Sequence, residues 1–403
     1  MRSSLPKAWI AVPALAAVSA AALAGCSSSD DSSNGKVSTV NITMQNNGGS
    51  DECAIDQKSV PAGPVTFKVA NKSAPGITEV EVQKDQRILG EKENLAPGLD
   101  PVQFTVTLDG GDYTVYCPGA KDEKIPFTVT GQAAAAPTGS VQTILADGTK
   151  EYGQYVDTQI ASMVEAVGTL NSAVQSGDVQ AAKDAYAKAR PFYERAEAQV
   201  EGFVLPGFKA DDNAGNLDYL IDMRESTPVD DKVGWKGFHA IERDLWQKNA
   251  IDQGTKDYST ELVTNVGKLN DVVKGLDYKP EDLANGASDL LEEVQNGKIT
   301  GEEEQFSHLD LVDFAGNLEG AQQAFVSLRP GLEKIDPNLV TQIDQQFQAA
   351  QATIDSYRDP SALGGYKEYT PELKASDSAK LQAAIAPLHD SLSTLAEKVV
   401  QAN

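Results

Sequence analysis

The stretch GWKGFHAIERDLW, residues 234–246, decides the fold of most of this chain. Its apolar residues recur at helical spacing, which predicts an amphipathic helix that packs against other helices. His239 and Glu242 stand three residues apart, so a helix places both side chains on one face. Helical bundles use this spacing, in the opposite order, to bind transition metals. The alternative is structural: His239 only hydrogen-bonds or ion-pairs with Glu242 at the edge of a core.

Composition narrows the classes of protein. The chain has 403 residues, 40% of them hydrophobic, which is enough for two or three domains with packed cores. The formal net charge of −25 argues against nucleic acid as a partner. There is no His-Glu-x-x-His, Gly-x-Ser-x-Gly, P-loop or Gly-x-Gly-x-x-Gly motif, which argues against the enzyme classes that carry them.

The first residues read as an export signal. Residues 1–25 have a basic start and an apolar run that is too short and too rich in alanine for a membrane span. The run ends in LAGC, residues 23–26, which resembles the lipobox of bacterial lipoproteins. It predicts lipid attachment at Cys26, with residues 26–36 as a flexible tether. The alternative is an ordinary secretory signal in which Cys26 has no role.

Two patterns divide the rest of the chain. Short stretches in 37–131 alternate apolar and polar residues between Gly, Pro and Asn, which predicts a β-sandwich. Residues 132–146 read as a linker and 147–403 as an all-α bundle. The predicted helices cover approximately 150–176, 178–201, 214–224, 232–249, 256–275, 280–297, 304–328, 336–358 and 375–401. Residues Pro330 and Gly331 are predicted to end one of them.

Cysteines and histidines limit the metal chemistry of the β region. Cys53 and Cys117 are either a disulfide, which the spacing favours, or two thiolate ligands. All three histidines lie in the helical region, so a blue-copper site, which needs two histidines, is excluded from the β region. Any metal there would need the two cysteines together with carboxylates such as Glu79, Glu81 or Asp112.

Carboxylates also cluster in the helical region. Glu194, Glu197 and Glu201 fall on one helical face, which predicts a solvated acidic surface by default. A site with three or four ligands at His239 would need a further carboxylate from another helix. Glu197, Glu201, Asp222 and Asp313 are the candidates.

Together these motifs resemble the EfeO-type family of bacterial iron-uptake lipoproteins. The resemblance covers essentially everything after the tether. In the β region it rests on Cys53, 79–81, 91–98 and 112–117; in the helical region it rests on 193–197, 223–225, 237–242, Trp246, 307–314 and Asn317. It implies a cupredoxin-like β-sandwich followed by an imelysin-type helical bundle.

The resemblance also implies an activity. It is extracytoplasmic binding of iron, ferrous or ferric, with delivery to a membrane permease and with a haem-peroxidase-like partner protein. His239 and Glu242 would be ligands in the bundle, joined by Glu197 or Asp313, and Cys53, Glu79 and Cys117 would form a site in the β-sandwich.

One departure and two rival functions bear on this expectation. The family pattern has an acidic residue three positions before the second cysteine, where this chain has Thr114, so the β-region site is weakened, or Asp112 substitutes, or the cysteines form a disulfide. Zinc and copper compete with iron for such ligands.

A metal-dependent peptidase is the alternative function, and a lipoprotein without metal is the third. Any site on His239 should release its ion as the ring is protonated, near the reference pKa of about 6.5.

Overall fold

The computed structural model describes residues 37–85, 87–93, 95–132, 139–225 and 229–402. The predicted signal peptide, the lipidation site at Cys26 and the tether 26–36 lie outside the described residues, as does 133–138 of the predicted linker. Within the described part of the chain, no helix is long and apolar enough to cross a membrane.

The N-terminal region is a β-sandwich, because its strands place apolar side chains on one face. The strands are β1 Ser38–Asn47, β2 Ser50–Ile55, β3 Ser59–Pro61, β4 Gly63–Asn71, β5 Val80–Lys84, β6 Arg87–Lys92, β7 Val102–Leu108, β8 Gly111–Tyr116 and β9 Lys124–Thr130. In β1, for example, Val40, Ile42 and Met44 are fully buried. One sheet has the order β2-β1-β4-β7 and the other β3-β9-β8-β5-β6. The predicted sandwich is confirmed, and its cupredoxin-like character stays a prediction.

The remaining chain is helical, as predicted. The helices are α1 Ser140–Ser176, α2 Val179–Glu194, α3 Glu197–Val200, α4 Leu217–Asp222, α5 Gly237–Trp246, α6 Gln253–Val273, α7 Pro280–Asn296, α8 Asp310–Ile335, α9 Pro337–Asp355, α10 Pro371–Leu392 and α11 Leu395–Gln401. In α1 a stripe of buried residues that includes Tyr152, Val156, Ile160 and Met163 packs against the other helices.

Some predicted boundaries are wrong. α1 begins at Ser140, inside the segment predicted as linker, and the predicted helices 178–201 and 375–401 each form two helices. The predicted stop at Pro330 is also wrong, because α8 continues to Ile335. The ring of Pro330 lies on the exposed side of α8. The next residue, Gly331, packs so closely on α1 that a Cβ there would lie 2.4 Å from Leu145. This packing outweighs the loss of one backbone hydrogen bond.

The sandwich packs directly against α7. Asn285 donates to the backbone oxygen of Thr105 in β7 at 2.6 Å, and the buried Lys92 of β6 ion-pairs with Asp289 and Glu292. Lys92 is only 4% exposed, so both of its carboxylate partners are needed to offset its desolvation. The described residues of the sandwich and the bundle belong to one compact unit, with a cleft between the two parts.

Candidate metal centre

Three segments that are separate in sequence bring a histidine and four carboxylates together. Asp222 ends α4, His239 and Glu242 lie on α5, and Glu303 and Glu304 belong to the loop that precedes α8. All five residues are buried, with Asp222 the most exposed at 6%. Uncompensated charges at such depth are costly, so this concentration of carboxylates points to cation binding.

Gly237 brings the first two segments into contact. It has φ of +81°, in the left-handed region that favours glycine, and a Cβ there would lie 2.2 Å from the backbone oxygen of Ile221. The absence of a side chain lets the start of α5 touch the end of α4. His239 is thereby placed beside Asp222, although the two residues are far apart in sequence.

The ring of His239 faces carboxylates on both sides. Its Nδ1 lies 3.2 Å from Glu242 Oε2, and its Nε2 lies 3.4 Å from Glu303 Oε1 and 3.7 Å from Asp222 Oδ1. Nε2 is buried and makes no hydrogen bond with any described residue. Atoms that bind one ion at about 2.0–2.2 Å lie about 3–3.5 Å from each other, so the two distances from Nε2 are close to coordination spacing.

Glu242 orients the ring. Its Oε1 accepts hydrogen bonds from the backbone N–H groups of Phe306 and Ser307 at 2.8 and 2.7 Å, and its Oε2 faces His239 Nδ1. A carboxylate on one ring nitrogen fixes the tautomer and directs the other nitrogen toward the metal. The sequence predicted His239 and Glu242 as joint ligands. Two groups of possible ligands among the described residues contain this histidine: one adds Asp222 and Glu303, the other adds Glu242 and Glu304. Because two backbone N–H groups already hold Glu242, the geometry favours the first group, with Nε2 as the ligand atom and Glu242 as the orienting group.

Two buried cations balance part of this negative charge. The guanidinium of Arg190 on α2 forms ion pairs with Asp222, Glu303 and Glu304. Lys298, which is fully buried, pairs with Glu194 and, at 3.0 Å, with Glu197. A carboxylate network therefore extends from the histidine into the bundle.

Glu197 and Asp313 lie in this network but do not join the histidine. Glu197 accepts from Lys298 and from Asn317, the latter at 3.1 Å, and Asp313 pairs with Arg190. The groups of three possible ligands among described residues place Asp313 with Glu194 and Glu303, and Glu197 with Glu194 and Asp222. The predicted solvated acidic face is wrong, because Glu194 is fully buried and Glu197 is 8% exposed.

Electrostatics at the centre differ from the expectation for an ordinary histidine. Burial and Arg190 lower the pKa of His239, but the carboxylates of Glu242 and Glu303 outweigh them and raise it to about 9. Burial also opposes ionisation of Glu303, yet Lys298, Arg224 and His239 hold its pKa well below the usual range. Protons therefore compete with a cation at His239 from a higher pH than the reference value of about 6.5 indicates.

In the β-sandwich, the structure corrects the predicted cysteine ligands. Cys53 and Cys117 form a disulfide that links β2 of one sheet to the residue after β8 of the other. Neither sulfur is a free thiolate, so their predicted role as metal ligands is wrong. Asp112 does not substitute for them, because it is exposed and accepts a hydrogen bond from Thr128.

Glu79 groups instead with two other carboxylates. Glu79, Glu81 and Glu91 place oxygen atoms within 4.8 Å of one another, since Glu81 of β5 pairs in register with Glu91 of β6. Burial and mutual repulsion raise the pKa values of Glu79 and Glu91 well above the usual range. Their arrangement is all-oxygen, which suits hard cations.

Carboxylates from two clusters face one cleft between sandwich and bundle. One cluster lies beside His239, and the other consists of Glu79, Glu81 and Glu91. The cavity has a volume of about 920 Å³ and includes Asp222 and Glu303 in its wall. Arg224 is the only basic residue among its described lining residues. The acidic residues that line it are Glu79, Glu81, Glu91, Glu93, Glu197, Glu201, Asp211, Asp218, Asp222, Glu225, Asp230, Glu293, Glu302 and Glu303. A cleft lined by one sign of charge concentrates counter-ions, here cations.

The cleft predicts a pH dependence of stability. Burial raises the pKa of Glu93 to about 7 and of Glu293 to about 8, from the ordinary value of 4.5, and repulsion adds to both shifts. Above pH 4.5 the folded state therefore binds more protons than the unfolded state. The free energy of unfolding falls as pH rises to about 8, because these carboxyl groups must then ionise while buried. We expect the melting temperature of the metal-free protein to fall between pH 5 and pH 8, and to fall less in Glu293→Gln.

Glu333→Gln is the control for this measurement, because Glu333 lies on the surface with its side chain 50% exposed. Its melting curve should follow the unmodified protein. An equal decline in Glu293→Gln and the unmodified protein would contradict the role of the cleft.

Sequence reasoning missed four residues of this centre: Glu303, Glu304, Arg190 and Lys298. One signal was present, the acidic run 302–304 just before the Ser307-His308 motif. A helix was predicted from residue 304, whereas residues 302–309 form a loop that folds over α5. The spacing of Arg190 and Glu194 (i, i+4) indicates a helical ion pair, but nothing local shows that it is buried.

Most of the chain is similar in sequence to known proteins. The imelysin family, whose model carries the peptidase name M75, matches residues 148–395. The iron uptake system component EfeO of Yersinia pestis is 33% identical over 345 residues, covering 85% of this chain and 88% of the relative. EfeO of Escherichia coli K12 is 31% identical over 338 residues, with 84% and 86% covered.

Proposed function

The chain belongs to the imelysin family and is of the EfeO type, and from that premise we propose that it binds iron outside the cytoplasm and delivers it to a membrane permease. Lipid attachment at Cys26 would keep it at the membrane, and a haem-peroxidase-like protein would be a further partner. The lipobox supports the lipid attachment, and the family resemblance supports the partner protein. Nucleic acid is no part of it, given the charge of −25.

One observation carries the proposal: the buried Nε2 of His239 makes no hydrogen bond with a described residue and lies between the carboxylates of Asp222 and Glu303. Burying a polar atom without a hydrogen bond costs free energy, and a bound cation would remove that cost. One imidazole nitrogen with carboxylate oxygens suits ferrous or ferric iron as cargo. Zinc and copper bind the same donors, so supply and geometry must favour iron.

The cleft offers a route to this atom. Asp222 and Glu303 belong both to the centre and to the cleft wall, so a cation in the cleft meets two ligands before it reaches His239. Glu79, Glu81 and Glu91 face the same cleft from the sandwich and would hold an incoming ion first. The disulfide between Cys53 and Cys117 would then serve only to link the two sheets.

The peptidase name of the family motivates the alternative function. A hydrolytic metal site needs an open coordination position and access for the substrate. Here His239 is 1% exposed and Glu303 is 3% exposed, which suits an enclosed ion better than a bound polypeptide. We therefore propose a binding protein without catalytic activity.

The neighbouring residues Glu302 and Glu303 make a matched test. In Glu303→Gln we expect affinity for ferrous iron, measured by anaerobic calorimetry, to fall by at least about 10–100-fold, since a proposed ligand charge is lost. Uptake of labelled iron by cells that depend on this protein should fall in parallel. Glu302 has its side chain 49% exposed, so Glu302→Gln should stay near the unmodified protein in both measurements.

Other outcomes would change the proposal. Equal affinities of the two variants and the unmodified protein would show that the centre at His239 is not the binding site. Normal ion binding with no effect on uptake would keep the metal site and reject delivery to a permease. Hydrolysis of a peptide library that stops in Glu303→Gln would favour the peptidase.

A further inference from the structure

The guanidinium of Arg190 occupies the middle of the carboxylate network. Its Nη2 lies 3.2 Å from Glu303 and 3.1 Å from Asp313 and also contacts Glu194. Its Nη1 contacts Asp222 and its Nε lies 3.1 Å from Glu304. The side chain is 1% exposed, so every one of these contacts is shielded from solvent.

Packing as well as charge holds this group in place. The guanidinium lies over the ring of Phe238, 5.2 Å from its centroid, and Phe238 is the neighbour of His239 in α5. Without a cation at this position, several buried carboxylates would face one another unscreened. Arg190 therefore compensates their repulsion in the metal-free protein.

Arg190 uses the same oxygen atoms that an ion at His239 would need. Glu303 Oε1 lies 3.2 Å from Arg190 Nη2 and 3.4 Å from His239 Nε2. Asp222 Oδ1 contacts Arg190 Nη1 and lies 3.7 Å from His239 Nε2. An iron ion coordinated by these oxygens would lie within a few ångströms of a fixed positive charge, which repels it strongly at this depth.

We propose that Arg190 is an internal cation that holds the centre in the absence of iron and is displaced from Asp222 and Glu303 when iron binds. This inference rests on the proposed function, because it assigns a role in the same site. It makes Arg190 a positioning residue that sets how tightly the ion is held.

The structure contains a place for the displaced guanidinium. Glu194, Glu304 and Asp313 also contact the guanidinium, are not among the proposed ligands, and can keep their contacts with it. Asp313 Oδ1 is buried and makes no hydrogen bond with any described residue, so it can accept one more from the guanidinium. Displacement therefore exchanges partners rather than leaving the charge unpaired.

This exchange has a consequence for delivery. Iron must first compete with Arg190, so its affinity is lower than the ligands alone would provide, and the guanidinium is ready to reclaim the ligands when the ion leaves. A protein that hands its cargo to a permease needs such a limit on affinity. The internal cation supplies it without any other molecule.

The test is Arg190→Gln. We expect affinity for ferrous iron and for zinc to rise by at least about tenfold with slower ion release, because a repelling charge is removed from the site. The melting temperature of the metal-free protein should fall at the same time, because buried carboxylates lose their counter-ion. A residue with a merely structural role would lower both quantities.

Arg195→Gln is the matched control. Arg195 follows α2, but it is partly exposed and pairs at 2.7 Å with Glu319, outside the centre. It should leave ion affinity unchanged. Unchanged or weaker ion binding in a folded Arg190→Gln variant overturns the inference.

A crystal structure of the unmodified protein with zinc decides the matter even if Arg190→Gln does not fold. We expect Asp222 and Glu303 on the ion, with Arg190 Nη1 beyond hydrogen-bond distance of Asp222 Oδ1. An ion at Nε2 with the Arg190–Asp222 contact intact would overturn the inference and keep the proposed function. Absence of any ion at His239 would overturn both.

Discussion

Replacing His239 with alanine should reduce affinity for ferrous iron more than any other single change, by well over about 100-fold. The ring supplies the nitrogen ligand that we propose for the ion. Its Nε2 is buried and makes no hydrogen bond with described residues. In the variant, water would fill the space left by the ring. Water is a weaker ligand than the imidazole, whose orientation is fixed by the contact between Nδ1 and Glu242. Calorimetry and labelled-iron uptake would measure the loss.

Two comparison variants make this result specific. In Glu242→Gln the ring keeps Nε2 and loses only its orienting carboxylate, so we expect a smaller fall of about 10–100-fold. His389→Ala removes another histidine, on α10, whose ring faces Glu292 at 3.9 Å outside the centre, and should bind iron normally. Equal losses in Glu242→Gln and His239→Ala would indicate that Glu242 is itself a ligand.

Gly237→Ala should damage both stability and ion binding. A left-handed φ of +81° costs a residue with a Cβ about 1–2 kcal/mol, and a contact of 2.2 Å with the Ile221 oxygen must be relieved by backbone movement. With the overpacking cost added, we expect about 2–5 kcal/mol less free energy of unfolding. Ile221 precedes Asp222, so the movement would also shift a ligand and weaken iron binding by roughly tenfold or more.

Gly234→Ala separates the two causes. Gly234 has a similar φ of +74°, but a Cβ there would meet no atom within 4 Å. This variant should show only the backbone cost and should bind iron normally. Denaturant unfolding and calorimetry on both variants provide the test. If Gly237→Ala and Gly234→Ala behave alike, then the close approach of α4 and α5 does not position Asp222.

Local pattern explains which parts of the fold could be predicted. The alternation in β1 and the helical stripe of α1 lie in consecutive residues, and both elements form as the pattern predicts, although α1 begins at Ser140 rather than near residue 150. Pro330 misled the prediction because its effect depends on α1, which packs against the neighbouring Gly331 and holds α8 together. Glu194 can likewise be buried only because two cations pair with its carboxylate. Lys298 is distant in sequence, and Arg190 lies one turn earlier on α2.

The sequence by itself determined the order of the two regions and placed His239 and Glu242 on one helical face, because periodicity acts over a few residues. Only the tertiary structure decided which nitrogen of that histidine makes no hydrogen bond, since this depends on Glu242 being held by the backbone of Phe306 and Ser307. It likewise decided that Asp222 and Glu303 lie beside the ring. Their approach needs Gly237 and a loop distant in sequence, and no local pattern records a contact made across the folded chain.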